Sequence, residues 1–334
     1  MIDARRDPQL KRNAQSSGPR DGGKVGFVFS TKDRVDYTRH SLASLGTCDG
    51  FDLVWVDGSD SPEGRALPES VKTQYCRIVE VHHDVKGGPD AAIRFGLKRL
   101  LELGYEYCGL IENDIRFEPG WFPRLMELFQ FGAEEHLNVG AATVFSLESR
   151  VMIHRPRYAF MWNMGACMVL FTREAARIVL ATYRAVGSSD LVRFYSCTFG
   201  VDLRRVWELM MDQPDRRLGC DWAYAMCLYK CGLISLGTLP SMAIDMDHDF
   251  EKHFRTTYVQ RNVEHLAGEE EIHRRLAGVM SDRWFNGRVI GQLRFLTDCA
   301  RSRIYRAARR YRLIRIPYCV VSSLAKRCRS LIMG

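Results

Sequence analysis

An apolar run, Leu110-Ile111, ends in Glu112-Asn113-Asp114 and continues into Arg116-Phe117-Glu118-Pro119-Gly120-Trp121. Glu112 and Asp114 are one residue apart, so on an extended strand their side chains share a face. Two carboxylates in that position offer hard oxygen ligands of the kind that hold Mg²⁺ or Mn²⁺, with phosphate oxygens and water completing the shell. A solvated loop uses the same residue types, so the pair gains meaning only from what stands around it. Tyr105, Tyr107 and Cys108 precede it, and a helical pattern from Trp121 to Phe131 follows. A buried strand therefore empties into a loop at the acids.

Other polar clusters sit in comparable places. Lys24 to Ser30 is a β-branched and aromatic run followed by Thr31-Lys32-Asp33-Arg34 and a helical pattern through Tyr37, Leu42 and Leu45 to Gly46. Phe51 to Val56 is a second buried strand, ending in the turn-forming Asp57-Gly58-Ser59-Asp60-Ser61-Pro62. A third strand near Cys76 to His82 leads through Asp84, Lys86, Gly87, Gly88 and Pro89 into a helix with Ala92, Phe95, Leu97, Leu100 and Leu101 on its apolar side. Alternation of this kind predicts βαβ units and a largely parallel sheet, in which ligands lie outside the carboxyl ends of the strands. The polar clusters would then line one crevice.

Farther along, Asn138–Phe145 and Gly165–Phe171 read as strands, with Thr172 as the N-cap of a helix that starts at Arg173 and carries Glu174 in its first turn. His154 to Asn163 is an aromatic and basic loop that fits substrate contact or simple core packing equally well. Leu218-Gly219-Cys220-Asp221-Trp222 opens an apolar helix that stops at Gly232 and leads to a strand from Leu233 to Leu239. Asp221 fits an N-cap as readily as a catalyst. The body closes on Asp245, Asp247 and Asp249 around His248.

The 334 residues, 46% hydrophobic and 26% charged, are enough for one large or two small globular domains with a sizeable core. The formal net charge of +8 is unevenly placed: from residue 301 onward nine Arg and one Lys stand without an acid, giving +10 there and −2 elsewhere. Between Ile290 and Tyr311, Ile290, Leu293, Leu296, Ala300, Ile304, Ala307 and Tyr311 recur every three or four positions with arginines between them. That is a basic amphipathic helix suited to an anionic membrane surface. No recognised nucleic-acid module accompanies the charge, so no nucleic-acid partner is expected. Residues 1 to 23 have almost nothing to bury and read as a disordered leader. Eleven scattered cysteines without paired spacing, no apolar secretory segment and no stretch near 18 apolar residues predict reduced thiols and a cytoplasmic protein, peripheral on the inner face of the membrane.

The spaced stretches Val25 to Arg34, Val54-Trp55-Val56-Asp57-Gly58-Ser59, Gly87 to Gly96 and Leu110 to Trp121 together resemble a family-2-like glycosyltransferase with the GT-A fold. The closest stretch is the last, where that family has a D-x-D-like triplet followed by a proline-glycine-tryptophan helix entry. The resemblance spans roughly residues 24 to 250. It implies an α/β, Rossmann-like GT-A domain over residues 24–260 with a mostly parallel central sheet, and a basic helical C-terminal extension over 261–334. It also implies a nucleotide-diphospho-sugar donor, a glycan or lipid-linked acceptor, a divalent Mn or Mg ion and an inverting reaction. Carried onto this sequence, the site comprises Thr31, Asp33, Arg34, Asp57, Arg94, Glu112 and Asn113 at the donor, Asp57 meeting the base. Asp114 with His248 (or His253) would hold the metal, and Asp221 would be the general base.

The chain departs from that pattern in three places. Cys220 stands where the family has an acid before the catalytic Asp, Arg94 where it often has Asn, and Glu112 where the triplet begins with Asp. A binding protein that keeps the crevice without turnover is the alternative these departures motivate. A sugar-nucleotide pyrophosphorylase is a further one, but Ser30-Thr31-Lys32-Asp33-Arg34 lacks the glycines of that class's phosphate cradle.

Overall fold

The computed structural model describes residues 23–46, 50–71, 77–85, 88–165, 167–183, 220–246, 274 and 276–278. All but Gly23 of the expected leader, His248, His253 and nearly all of the expected C-terminal extension, with its amphipathic stretch, lie outside them. No helix among the described residues is long and apolar enough to cross a membrane.

The chain runs β1 (Val25–Thr31), α1 (Val35–Ser44), β2 (Phe51–Asp57), α2 (Pro62–Val71), β3 (Ile78–His83), α3 (Gly88–Glu102), β4 (Tyr107–Glu112), β5 (Ile115–Phe117), α4 (Trp121–Glu134) and β6 (Val139–Thr143). It continues with β7 (Val151–His154), β8 (Ala159–Met161), β9 (Met168–Thr172), α5 (Arg173–Tyr183), α6 (Cys220–Cys231), β10 (Ile234–Gly237) and β11 (Ala243–Asp245). Nine strands form one sheet in the order β3-β2-β1-β4-β9-β6-β10-β8-β7, and β5 and β11 form a second, two-stranded one. β1 to β4 are parallel, while β8 and β9 are the reversed members of an otherwise parallel sheet. This is the Rossmann-like, mostly parallel α/β sheet expected from the alternation.

Period-two alternation divides the core. Phe27, Phe29, Leu53 and Trp55 point to one face with Leu42 and Trp121, and Val28, Val54 and Val56 point to the other with Ile93, Leu97 and Leu100. Gly96 lets α3 lie close on β1, since a Cβ there would come within 2.4 Å of Val28. The aromatic cluster of Phe27, Phe51, Trp121 and Phe122 meets edge-on or tilted, with Phe27–Phe51 centroids 5.3 Å apart. Trp121 donates its indole N–H to the Leu45 carbonyl at 3.2 Å, which ties the entry of α4 to the exit of α1.

Thr172 caps α5 as its sequence predicts, its hydroxyl accepting from the Ala175 N–H at 3.3 Å. The expected loop from His154 to Asn163 contains structure instead: β7 and β8 pair antiparallel, and the polar run is the tip of their hairpin. The third strand begins at Ile78 rather than near Cys76, which lies outside the described residues.

β3 is an edge strand of this sheet, and a charged clamp fastens it to α3. Arg99 donates from Nη2 and Nε to the two Glu80 oxygens at 2.6 and 3.0 Å, and His82 Nε2 lies 2.7 Å from Glu80 Oε2. The Arg99 guanidinium beside it holds the Glu80 carboxyl down at about 2. A carboxyl depressed in the folded state stabilises it above the ordinary pKa, and that contribution is lost as pH falls through the folded value. Glu80→Gln should therefore cost about 1 kcal/mol at pH 7, allowing for solvent screening. Urea unfolding of the two proteins should converge as pH falls from 4.5 toward about 2; a pH-independent difference would contradict the clamp.

Candidate active site

The carboxyl ends of β1, β2, β3 and β4 lie side by side, and most of the sequence-predicted residues meet there. β1 leaves the sheet through a sharp turn in which Asp33 (φ 55°) and Arg34 (φ 25°) both take positive φ values. Non-glycine residues pay steric strain in that region, so neighbours must enforce it. Asp33 donates its backbone N–H to Ser59 Oγ at 2.8 Å, and its Oδ1 accepts from the backbone N–H groups of Ser61 at 2.9 Å and Asp60 at 3.2 Å. Chiefly the Ser61 N–H holds the Asp33 carboxyl below the ordinary range. The exit loops of β1 and β2 are thereby locked together.

Behind them lies a buried chain of hydrogen bonds. Trp55 donates its indole N–H to Thr31 Oγ1 at 2.9 Å, and Thr31 donates to Asp57 Oδ1 at 3.0 Å. The Ser59 N–H reaches the same oxygen at 3.0 Å, and Asp57 Oδ2 lies 2.9 Å from His83 Nδ1. Thr31 and Asp57 are buried, the Asp57 side chain being 1% exposed, whereas that of His83 is 37% exposed. Both predicted donor residues are thus present at the strand ends, but their polar atoms face inward.

At the end of β4 the triplet divides by role. Asp114 Oδ2 accepts from Arg34 Nη1 at 3.0 Å, joining the strained turn to the acids. Asn113 points the other way: its buried amide donates to Thr38 Oγ1 at 2.8 Å and fastens the turn to α1. Asn113 and Asp114 form the turn between β4 and β5, and there the Asn113 amide makes a structural contact. Glu112 is partly buried, and its pKa is pushed up to about 8 by desolvation first and by the neighbouring Asp114 next, with smaller contributions from Asp245 and Asp221. Its backbone N–H donates to the Cys167 carbonyl at 2.8 Å.

Asp245 was unforeseen at this place. It arrives because β11 pairs with β5, Asp245 opposite Ile115, and the Met246 N–H closes the register on the Asp114 carbonyl at 2.8 Å. Three-residue strands give too few alternations to be read from sequence.

Asp221 stands in the first turn of α6, where its Oδ2 accepts from Asn163 Nδ2 at 3.1 Å and lies 3.6 Å from Arg150 Nη1. Asn163 is itself fixed by the Gly165 N–H, which donates to its Oδ1 at 2.8 Å. Neither Asn163 nor Arg150 carries a sequence signal of its own. Arg94 stays on its helix, Nε donating to the Asp90 carbonyl at 3.2 Å. Among the described residues no three His, Cys, Asp or Glu side chains are arranged to hold a metal ion.

No family model matches the chain, and no curated protein matches it. Solved structures with a related outline include GalNAc-T7 crystallised with UDP, GalNAc and Mn²⁺, at a TM-score of 0.42 and 11% identity over 66% of this chain. The match spans less than half of that protein, 43% of its chain. Another is a protein of Desulfovibrio desulfuricans G20 described as a nucleotide-diphospho-sugar transferase, at a TM-score of 0.37 and 10% identity over 75% of this chain and 97% of that one.

The split between Asn113 and Asp114 is testable by stability alone. Asn113→Ala removes a buried hydrogen bond to the Thr38 hydroxyl, which keeps its own bond to the Arg34 carbonyl, so it should cost about 1–1.5 kcal/mol in urea unfolding. Asp114→Ala removes a salt bridge whose arginine side chain is 39% exposed and should cost under about 1 kcal/mol. The reverse order would reassign the two side chains.

Proposed function

We propose that the chain is a glycosyltransferase, moving a hexosyl-type sugar from a nucleotide-diphospho-sugar donor to an acceptor hydroxyl with inversion. The observation that carries this reading is the convergence of carboxylates from β4, α6 and β11 on one strand end, beside the strained Asp33–Arg34 turn. The acids around Glu112, whose pKa is pushed up to about 8 by burial first and by Asp114 next, suit a site completed by a divalent cation and a diphosphate.

Glu112 and Asp114 offer hard oxygens of the kind that Mn or Mg takes. Asp114 would hold the ion, with His248 as its second expected ligand. When bound, the ion would neutralise charge on the departing diphosphate. The chain's own part is then positional. Arg34 aims Asp114, and Asp33 keeps the β1 exit loop in its turn. Asp221 takes the proton of the acceptor hydroxyl, a role worth about 10² to 10⁴ in rate, with Asn163 fixing the carboxylate's direction. Attack from the face opposite the leaving group inverts the sugar carbon.

The acceptor, on this reading, is a surface glycan or a lipid-linked sugar. The basic segment from residue 301 onward would rest on an anionic leaflet, with the domain in the cytoplasm.

Release of nucleoside diphosphate from a panel of nucleotide sugars with Mn²⁺ tests the reading. Asp114→Ala should abolish the release while the protein stays folded. Asp221→Asn, which keeps size and capping ability, should leave donor binding intact and lower turnover by about 10²-fold or more. Full activity in excess chelator would remove the metal, and full activity of Asp221→Asn would remove the base. Donor binding without any turnover in the wild type would favour the binding-protein alternative.

A further inference from the structure

The resemblance assigns the base contact to Asp57, yet this carboxylate is buried and three hydrogen bonds from the fold already engage it. Its side chain is 1% exposed. Oδ1 already accepts from Thr31 Oγ1 and the Ser59 N–H, and Oδ2 is engaged by His83. A base reaching Asp57 would have to displace the imidazole and leave part of this buried chain unsatisfied. His83 is differently placed. It ends β3, opposite Asp57 in the parallel register, with its side chain 37% exposed at the same edge as the Asp33 turn.

We propose that His83, and not Asp57, reads the nucleobase of the donor, with Asp57 as the residue that positions the ring. This rests on the crevice being the nucleotide site proposed above. The chemistry follows from the hydrogen bond. A carboxylate oxygen can only accept, so Nδ1 carries the hydrogen, and in the neutral ring Nε2 keeps its lone pair. The buried chain from Trp55 through Thr31 to Asp57 orients the carboxylate toward Nδ1, and a neutral ring held that way presents Nε2 as an acceptor. An acceptor selects bases with a ring N–H donor: uracil and thymine at N3, guanine at N1. Cytosine and adenine carry a lone pair at the corresponding ring position and would confront Nε2 with another acceptor. The clamp of Glu80 on Arg99 holds the strand that delivers the ring, so the contact is built on a fixed element.

Binding of UDP, dTDP, GDP, CDP and ADP to the full chain, measured by titration calorimetry with Mn²⁺, tests this. Wild type should bind one or more of UDP, dTDP and GDP at least tenfold more tightly than CDP and ADP. His83→Ala should lower the preferred affinity about tenfold and erase the preference, and it should also lower the melting temperature, because Asp57 Oδ2 loses its donor; the loss of preference among nucleotides is the readout that a merely structural role would not give. His83→Gln, which offers an amide oxygen as acceptor, should restore part of the preference. Equal weakening of all five nucleotides by His83→Ala, or an unchanged preference, would overturn the assignment while leaving the nucleotide site standing. A wild type that prefers CDP or ADP would overturn it as well, and one that binds none of the five would overturn both the assignment and the site.

Discussion

A buried carboxylate governs the architecture of the crevice. Burying an ionised group costs several kcal/mol unless it is fully paired, so Asp57, at the end of the second strand of the main sheet, dictates what its neighbours must supply. Thr31 from β1, the Ser59 amide from the β2 exit and His83 from β3 each bring a donor. Three adjacent strand ends are therefore fixed to one another by a single anion. Ser59, held by the same carboxylate through its amide, uses its hydroxyl to accept from Asp33, so the constraint passes outward into the left-handed turn. Backbone strain of this kind persists where the surroundings over-determine it, and it concentrates at sites with a task.

The acids at the end of β4 are the counterpart. Asp57 is satisfied by donors, whereas Glu112 stands near the charges of Asp114, Asp245 and Asp221. Arg34 answers part of that charge from the strained turn. One strand end thus has its carboxylate oxygens hydrogen-bonded inside the fold, while the next gathers several acids with Arg34 and Arg150 beside them. A buried carboxyl pushed up to about 8 beside other acids is one that a cation or a proton can answer.

Much of this was legible in the sequence because the signals were periodic. Continuous apolar runs at β1, β2 and β4 marked strands buried on both faces, and the polar residues that follow them marked the crevice. Placement of Thr31, Asp33, Arg34, Asp57, Glu112 and Asp114 along one edge follows from parallel topology alone. What sequence could not give was the direction of individual side chains. Thr31 and Asp57 sit where expected but face inward, and Asn113 lies in a turn after β4 with its amide bonded to Thr38. Short pairings were also invisible: β7 with β8 was hidden in an aromatic loop, and β5 with β11 offers three residues on each side. His83 gave no sign beyond being the last residue of a strand, since its importance comes from a neighbour 26 positions away.

The pairing of β5 with β11 has a consequence in time as well as in space. Ile115 to Phe117 meet Ala243 to Asp245 across roughly half of the described chain, and the backbone of Asp114 is closed by Met246. Contacts between residues so distant in sequence carry a high loop-closure cost and form late. During synthesis from the N-terminus, β1 to β4 can assemble with Asp57 already satisfied, while β5 has no strand to pair with until residues 243–245 have emerged. The acidic end of β4 is consequently completed among the last parts of the domain, so a partly made chain would own its sheet well before it owned its site.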